Sequence, residues 1–236
     1  MNSDTVLDVS GLTAGYGELP VVRNISLTVG SGEVVAIVGA NGAGKTTTLC
    51  AIAGVIRPHA GSIRINENKI ERQRLHRLKS LGVAYVPDDR CLFADLTVAE
   101  NLRLARGTRS FDELFAWLPA LRPLEHRKAG LLSGGEQQML ALARALATKP
   151  TLLLIDEMSA GLAPILVQHL LEVLRRLADE DGVAVLLVEQ HVDLALGCAD
   201  RGYVLRHGEM VMEGDASTLV RDRHLLEASY LGAVEP

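Results

Sequence analysis

A glycine-rich loop that ends in lysine and threonine is the strongest chemical signal in the sequence. It has the pattern G-x-x-x-x-G-K-[ST] and lies between an apolar run, residues 34–38, and a helical stretch that begins at Lys45. Glycines let backbone N–H groups curl around phosphate oxygens, and the helix N-terminus adds positive potential. Lys45 can reach the terminal phosphates, and the Thr46 hydroxyl can ligate Mg²⁺. The predicted nucleotide contacts in this loop are Gly39, Asn41, Gly42, Ala43, Gly44, Lys45, Thr46 and Thr47.

Two acidic residues, Asp156 and Glu157, follow the apolar run of residues 152–155. An acid at the carboxyl end of a central strand can face a phosphate-binding loop at the end of a neighbouring strand. We therefore predict that Asp156 holds Mg²⁺ through water and that Glu157 polarises the water that attacks the terminal phosphate. General-base assistance of this kind typically accelerates a reaction by about 10²–10⁴-fold.

A second segment with the properties of an anion site begins an apolar, alanine-rich helix. Ser133 and Glu136 have the spacing of a capping box. Gly134 and Gly135 follow the cap directly, although each weakens a helical turn by roughly 1 kcal/mol relative to alanine. Because glycines leave the N–H groups of a positive helix end uncovered, we expect all four residues to contact phosphate. The chain would then carry two phosphate-contacting surfaces.

These segments need a scaffold that places strand ends beside helix starts, and the sequence predicts an α/β fold. Short β-branched runs alternate with longer helical stretches. The predicted strands cover residues 7–9, 26–29, 34–38, 61–65, 83–86, 152–155, 183–188, 202–206 and 209–213. The predicted helices cover residues 45–56, 97–106, 134–148, 164–180 and 193–199, with a short helix and tail at 221–232. We expect one domain, residues 1–236, with a helical insertion at about 88–149 in an α/β core of residues 1–87 and 150–236.

The composition fits a globular protein and argues against several other classes. Hydrophobic residues make up 48% of the 236 residues and charged residues 22%, which excludes disordered and collagen-like chains. The net charge of −5 gives no reason to expect a nucleic-acid partner. Three scattered cysteines argue against a zinc site and suit a reducing compartment. Because neither a signal peptide nor a run of about 20 apolar residues is visible, we expect no transmembrane segment.

Three motifs in a fixed order resemble the nucleotide-binding subunits of ABC transporters. They are the loop that ends in Lys45 and Thr46, the sequence LSGGEQ at residues 132–137 and the sequence LLLIDE at residues 152–157. The resemblance covers essentially the whole chain. It implies a P-loop ATPase core with a mixed sheet and an inserted helical subdomain, and ATP and Mg²⁺ as cofactors. It also implies a head-to-tail pair of ATPase subunits, identical or different, in which LSGGE of one subunit covers the ATP held by the other.

The same resemblance implies roles for further residues. Tyr16 matches the aromatic residue that stacks on adenine, and residues 159–163 match the D-loop, which contacts the partner subunit. Asp88 stands where the family usually has a glutamine that touches Mg²⁺ and the attacking water. Gln190 stands where the family usually has a histidine that contacts the γ-phosphate. We predict catalytic roles for Asp88 and Gln190, and we predict that Asp88 also ligates Mg²⁺. His191 is the alternative γ-phosphate sensor if the chain turns there.

Several short segments narrow the resemblance further: residues 86–88, 90, 92–93, 96–102, 161–164, 187–190 and 230–232. Together they resemble the smaller ATPase subunit of branched-chain amino acid importers. This implies integral membrane permeases as partners, a substrate-binding protein acting indirectly, and a place at the cytoplasmic face of the membrane. ATPases of urea or amide importers, of lipid or lipopolysaccharide exporters, and soluble ABC ATPases are the alternatives. Leu92, Phe93 and Leu96 would either form an apolar socket for a permease helix or pack in the core of the helical insertion.

Overall fold

The computed structural model describes residues 4–70 and 75–221 and has an α/β architecture. The strands are β1 (Thr5–Tyr16), β2 (Leu19–Gly30), β3 (Val34–Val38), β4 (Ala60–Ile65), β5 (Asn68–Lys69), β6 (Val83–Val86), β7 (Leu152–Asp156), β8 (Ala184–Glu189), β9 (Arg201–Arg206) and β10 (Glu209–Asp215). The helices are α1 (Lys45–Ile52), α2 (Leu75–Leu78), α3 (Val98–Leu104), α4 (Phe111–Trp117), α5 (Gly134–Leu146), α6 (Pro164–Asp181), α7 (Val192–Cys198) and α8 (Ala216–Arg221).

A mixed, six-stranded sheet forms the centre of the protein, in the order β10-β9-β3-β8-β7-β6. All neighbours are parallel except β9 and β10, which form an antiparallel hairpin. β3, β7 and β8 are buried along their whole length, because other elements cover both faces of the sheet. At their carboxyl ends, Val38 pairs with Glu189 and Asp156 pairs with Val188. This register brings the glycine-rich loop, the two acids and the residues after β8 to one edge.

A second, antiparallel sheet has the order β2-β1-β4-β5. One buried apolar cluster joins this sheet, α1 and the central strands, and it includes Leu12, Ile37 and Leu49. The predicted strands at residues 7–9 and 26–29 are confirmed, but β1 and β2 extend over twelve residues each. Gly11, at φ 62°, lies at a shift in the register between the two strands, and such irregularities hide a strand from a simple alternation pattern.

Residues 88–149, all of them described, contain helices and turns but no strand beyond one isolated bridge between Thr97 and Lys128. Three helices in this region begin with capping boxes: Thr97 with Glu100, Ser110 with Glu113, and Ser133 with Glu136. The apolar side chains of this region share one cluster with the central sheet and α6. The helical region is therefore held against the sheet by a common core.

The five longer predicted helices are present in the structure, with small differences at their ends. Helix α1 ends at Ile52, four residues before the predicted end, and Gly54 follows in the left-handed conformation that commonly terminates helices. The short elements β5, α2 and α4 were not predicted, although the spacing of Ser110 and Glu113 is a capping-box signal for the start of α4. The predicted helix at 221–232 and the segment 230–232 lie outside the described residues, apart from Arg221, the last residue of α8.

Candidate active site

The glycine-rich loop connects β3 to α1 and ends in a backbone conformation that favours glycine. Gly44 precedes α1 with a φ of 106°, and a Cβ atom there would lie 2.5 Å from Cγ1 of Val22. Asn41 and Gly42 are exposed at the tip of the loop, whereas Lys45 is buried in the first turn of α1. The remaining predicted contacts lie in the same loop and helical turn: Gly39, Ala43, Thr46 and Thr47. A ligand can thus approach the backbone from outside, with the lysine beneath it.

Lys45 pairs with Glu157 across the edge of the sheet. Its Nζ atom lies 3.1 Å from Oε1 of Glu157 and donates a second, 3.3 Å hydrogen bond to the carbonyl oxygen of Ala40. Glu157 has a φ of 44°, and its N–H donates to the carbonyl oxygen of Val188 at 2.9 Å. The backbone bond and the ion pair fix the Glu157 carboxylate beside the loop. A phosphate that binds the loop must therefore compete with Glu157 for the lysine.

Thr46 and Asp156 form the second polar pair at this edge. The Thr46 hydroxyl donates to Oδ1 of Asp156 at 3.1 Å. Asp156 is fully buried, and its other oxygen, Oδ2, has no hydrogen-bond partner in the structure. Burial raises the pKa of Asp156 to about 6, the hydrogen bond from Thr46 opposes this rise, and the charges of Asp88 and Glu157 add to it. A buried carboxylate oxygen without a partner, next to a hydroxyl oxygen, fits the oxygen ligands that Mg²⁺ prefers.

The segment from Ser133 to Glu136 has the predicted cap at the start of the thirteen-residue helix α5. The Ser133 hydroxyl accepts from the N–H of Glu136, and Oε2 of Glu136 accepts from the N–H of Ser133 at 2.7 Å. Gly134 is exposed, as an anion contact requires. Gly135 is buried, and a Cβ atom there would lie 1.9 Å from Cδ2 of Leu166 in α6. The second glycine is thus explained by helix packing, a reason that the sequence did not reveal.

Tyr16 lies at the end of β1, on the second sheet, with 58% of its surface exposed. It lines a cavity of about 620 Å³ together with Gly15, Gly17, Glu18 and residues 56–59. His59 contributes to this wall, where its Nε2 atom is 3.0 Å from the carbonyl oxygen of Gly17. An exposed aromatic face beside a cavity of this size can stack on a planar base.

Residues 22–160, more than half of the chain, match the sequence model of a protein family described as ABC transporter. The matched range includes the glycine-rich loop, the capped segment at the start of α5, and Asp156 and Glu157. The chain belongs to the ABC transporter family. It is 38% identical to the high-affinity branched-chain amino acid transport ATP-binding protein BraG of Pseudomonas aeruginosa over 234 residues, 96% of this chain and all of that relative. It is 34% identical to the lipopolysaccharide export system ATP-binding protein LptB of Escherichia coli strain K12, covering 96% of this chain and 97% of that one.

The fold agrees with this membership. A dimeric ATP-binding cassette in a post-hydrolysis state, bound to ADP and Pi, matches with a TM-score of 0.80 at 28% identity, covering 89% of this chain and 98% of that one. As a member of the ABC transporter family, the chain is a cassette that binds and hydrolyses ATP. Cassettes of this family dimerise and work in transporter complexes.

Two residues at positions where this chain departs from the usual ABC pattern lie at the expected ends of strands. Asp88 is exposed after β6, and its Oδ1 atom accepts a 2.8 Å hydrogen bond from the N–H of Asp89. Gln190 and His191 are both exposed directly after β8, which ends at Glu189. The chain bends at Gln190, and His191 is in an extended conformation directly before α7. The assignment of the γ-phosphate contact to Gln190 rather than His191 stays a prediction.

Glu189 forms an interaction that the sequence analysis missed. It is 1% exposed, and its two carboxylate oxygens accept hydrogen bonds from the N–H and the hydroxyl of Ser159, at 2.9 and 2.7 Å. Burial raises the pKa of Glu189, and the hydrogen bonds from Ser159 and from the N–H of Gln190 oppose the rise. A buried acid at the end of an apolar strand was the available signal, but its partner lies 30 residues away.

Arg90 connects the loop that contains Asp88 to the start of α5. Its Nε atom donates to Oε1 of Gln138 and its Nη1 atom donates to Oε1 of Gln137, both at 2.9 Å. Arg90 and Cys91 both have positive φ values, 62° and 46°, which cost energy in residues other than glycine. In the sequence, Arg90 is part of the pattern that resembles branched-chain amino acid importers. The structure gives it a second property: it holds a strained loop onto the helix that begins with the LSGGEQ segment.

Replacing Arg90 with alanine should release this loop locally. Two hydrogen bonds from a charged group would be lost, so amide hydrogen exchange in residues 88–93 should accelerate by at least about ten-fold. Hydrogen-exchange mass spectrometry measures this directly. Arg106→Ala is the matched control, because Arg106 is an exposed arginine that also has a positive φ, 47°. Equal exchange at residues 88–93 in both variants would contradict the connection assigned to Arg90.

Proposed function

We propose that this protein is the ATP-hydrolysing subunit of an importer for branched-chain amino acids. The observation that carries the proposal is its 38% identity to BraG, which extends over the whole length of that relative. The importer resemblance of the short segments around Asp88, Asn101 and Glu189 agrees with it. The transported solute would contact other subunits, so no side chain of this chain is assigned to solute recognition.

In the proposed reaction, ATP binds with its phosphates on the glycine-rich loop and its adenine on Tyr16. Lys45 moves from Oε1 of Glu157 to the phosphate oxygens, since both compete for the same ammonium group. Glu157 is then free to accept a proton from the attacking water. Thr46 and Asp156 would hold Mg²⁺, which supplies electrostatic stabilisation of the charge that develops on the phosphoryl group. Asp88 and Gln190 would orient the water and the γ-phosphate from the neighbouring strand ends.

The proposed working unit is a head-to-tail pair of ATPase subunits. Ser133, Gly134, Gly135 and Glu136 form the start of α5, where they would contact the ATP held by the second subunit. Gly135 would keep this helix start close to α6, beside the D-loop. The second subunit is either a copy of this chain or a related ATPase.

The proposed contact with permeases lies in a groove between the central sheet and α5. A cavity of about 660 Å³ there is lined by residues 83–91 and by residues of α1 and α5. Arg144 also lines this cavity, and its guanidinium lies 5.4 Å from the ring centre of Phe93. Phe93 is half exposed, whereas Leu92 packs against the core. These facts favour the socket for Phe93 and core packing for Leu92. A position at the cytoplasmic face of the membrane is part of this proposal.

Within residues 4–70 and 75–221, no helix is long and apolar enough to span a bilayer.

Co-purification tests the proposed transporter. A tagged Glu157→Gln variant with Mg-ATP should recover two integral membrane permeases and a second ATPase from mildly solubilised native membranes, identified by mass spectrometry. Lys45→Ala is the control, because loss of the phosphate-binding lysine should prevent the ATP-dependent part of the recovery.

The identities of the recovered proteins decide between the candidate functions. Permeases for a lipid or lipopolysaccharide would support the exporter, which the 34% identity to LptB makes the second candidate. Recovery of only soluble proteins, ribosomes or DNA-repair factors would contradict a transporter of either kind.

A further inference from the structure

Glu189 and Ser159 join two loops that have separate tasks in the proposed reaction. Glu189 is the last residue of β8 and directly precedes Gln190, the proposed γ-phosphate contact. Ser159 is the first residue of the D-loop, residues 159–163, which is proposed to contact the second subunit. Both oxygens of the Glu189 carboxylate are used by Ser159. The shortest covalent route between the two loops is 30 residues, whereas this contact joins them directly.

Burial makes this contact stiff. Glu189 is 1% exposed and Ser159 is 6% exposed, so water cannot replace either hydrogen bond without local opening. A charged carboxylate that lost both donors would stay in a poorly solvated site. The side chains of Glu189 and Ser159 are therefore expected to move together.

A backbone hydrogen bond next to this contact attaches the segment of residues 157–159 to the end of β8 at a second position. The N–H of Glu157 donates to the carbonyl oxygen of Val188, one residue before Glu189. Residues 157 and 159 are thus both attached to the end of β8, through backbone and side chain respectively. Beyond Ser159 the chain becomes exposed at Ala160 and Gly161. A displacement of the β8 end would be transmitted to this exposed loop.

We infer that Glu189 is a positioning residue that couples occupation of the γ-phosphate position to the conformation of the D-loop. The inference rests on the proposed function, because it uses the roles proposed there for Gln190 and the D-loop. Glu189 itself contacts neither nucleotide nor attacking water. It acts by converting a shift at residue 190 into a shift of Ser159, and hence of the surface offered to the second subunit.

Hydrogen-exchange mass spectrometry on the full chain tests this coupling in the monomer, at a concentration where light scattering shows no dimer. The measured quantity is the difference in amide exchange at residues 158–163 between the Mg-AMP-PNP and Mg-ADP states. In the wild-type protein we expect exchange at least about three-fold slower with AMP-PNP. Glu189→Ala should remove this difference while the affinity for fluorescent mant-ATP changes less than about two-fold.

Three further variants separate coupling from a merely structural role. Ser159→Ala, which removes only a hydroxyl from a loop, should reduce the exchange difference at residues 158–163. The double variant, Ser159→Ala with Glu189→Ala, should lose no more of this difference than Glu189→Ala alone. Glu189→Gln should keep most of the exchange difference that Glu189→Ala loses. The glutamine amide oxygen can still accept from the Ser159 N–H, and the amide N–H can donate to the Ser159 hydroxyl. Glu172→Ala, an exposed carboxylate on α6, should leave the exchange difference unchanged.

The outcomes distinguish failure of the inference from failure of the proposed function. If the wild-type protein binds mant-ATP but shows no AMP-PNP-dependent difference at residues 158–163, the coupling is absent. The same conclusion follows if Glu189→Ala keeps the full difference. If Glu189→Ala does not fold, a full difference in Ser159→Ala would overturn the inference. Failure of the wild-type protein to bind mant-ATP would contradict the proposed nucleotide site, and the inference with it.

Discussion

Replacing Glu157 with glutamine should lower ATP turnover by about 10²–10⁴-fold while ATP binding is kept or becomes tighter. Glutamine has nearly the same shape but cannot take a proton from the attacking water. It also carries no charge, so the 3.1 Å ion pair that holds Lys45 in the absence of ATP is lost. Since a partly exposed pair of this kind stabilises by about 0.2–1 kcal/mol, the lysine becomes more available and the Kd for ATP should fall by up to about five-fold.

Phosphate release and isothermal titration with Mg-ATP measure the two effects separately. Glu180→Gln is the matched control, because Glu180 also pairs with a cation, Arg176, but on the exposed face of α6. It should change neither turnover nor affinity. Wild-type turnover in Glu157→Gln would remove Glu157 from the reaction. A large loss of ATP affinity would instead show that the carboxylate helps to bind nucleotide and does not compete for Lys45.

The parts of the site that could be predicted from sequence are those encoded within a few consecutive residues. The glycine-rich loop, the Asp156-Glu157 pair and the Ser133–Glu136 cap each combine residue type with a fixed local spacing. Such patterns determine local backbone geometry, and the structure reproduces the capping box and the order of strand, loop and helix. The α/β class could be predicted because short β-branched runs alternate with helical stretches, and both patterns are also local.

The contacts that could not be predicted depend on sheet register and helix packing. Ser159 meets Glu189 because β7 and β8 are neighbours with Asp156 opposite Val188. A shift of that register by one residue would turn the Glu189 side chain to the other face of the sheet. Sequence spacing does not specify the register. Gly135 is similar: it looks like an anion contact locally, and its closeness to Leu166 becomes visible only when two helices pack.

Replacing Asp156 with asparagine should have two opposite effects, on turnover and on stability without ligand. Turnover should fall by at least about 100-fold, because a neutral amide holds Mg²⁺ poorly and the phosphoryl group loses several kcal/mol of charge stabilisation. The nucleotide-free protein, in contrast, should become more stable at neutral pH. Burial disfavours the charged carboxylate, and its Oδ2 atom has no hydrogen-bond partner.

The raised pKa of Asp156 determines how the stability of the wild-type protein changes with pH. The pKa of Asp156 is raised to about 6 in the folded protein, whereas an unfolded aspartate titrates near 3.9. Between these values the folded state binds the proton more tightly, so its stability falls as the pH rises and stays reduced at neutral pH. Asparagine does not titrate, and the Tm advantage of Asp156→Asn should therefore grow between pH 4.5 and pH 7.5 to an order of 5 °C.

Differential scanning calorimetry without Mg²⁺ or nucleotide, at these two pH values, measures that difference. Mg-ATP should then raise the Tm of the wild-type protein more than that of Asp156→Asn, since the variant lacks a cation ligand. Asp112→Asn, which changes an exposed carboxylate paired with Arg122, should behave like the wild type in every condition. A variant that melts below the wild type at pH 7.5 would mean that the Asp156 carboxylate stabilises the empty fold. Equal stabilisation of both proteins by Mg-ATP would remove Asp156 from the metal site.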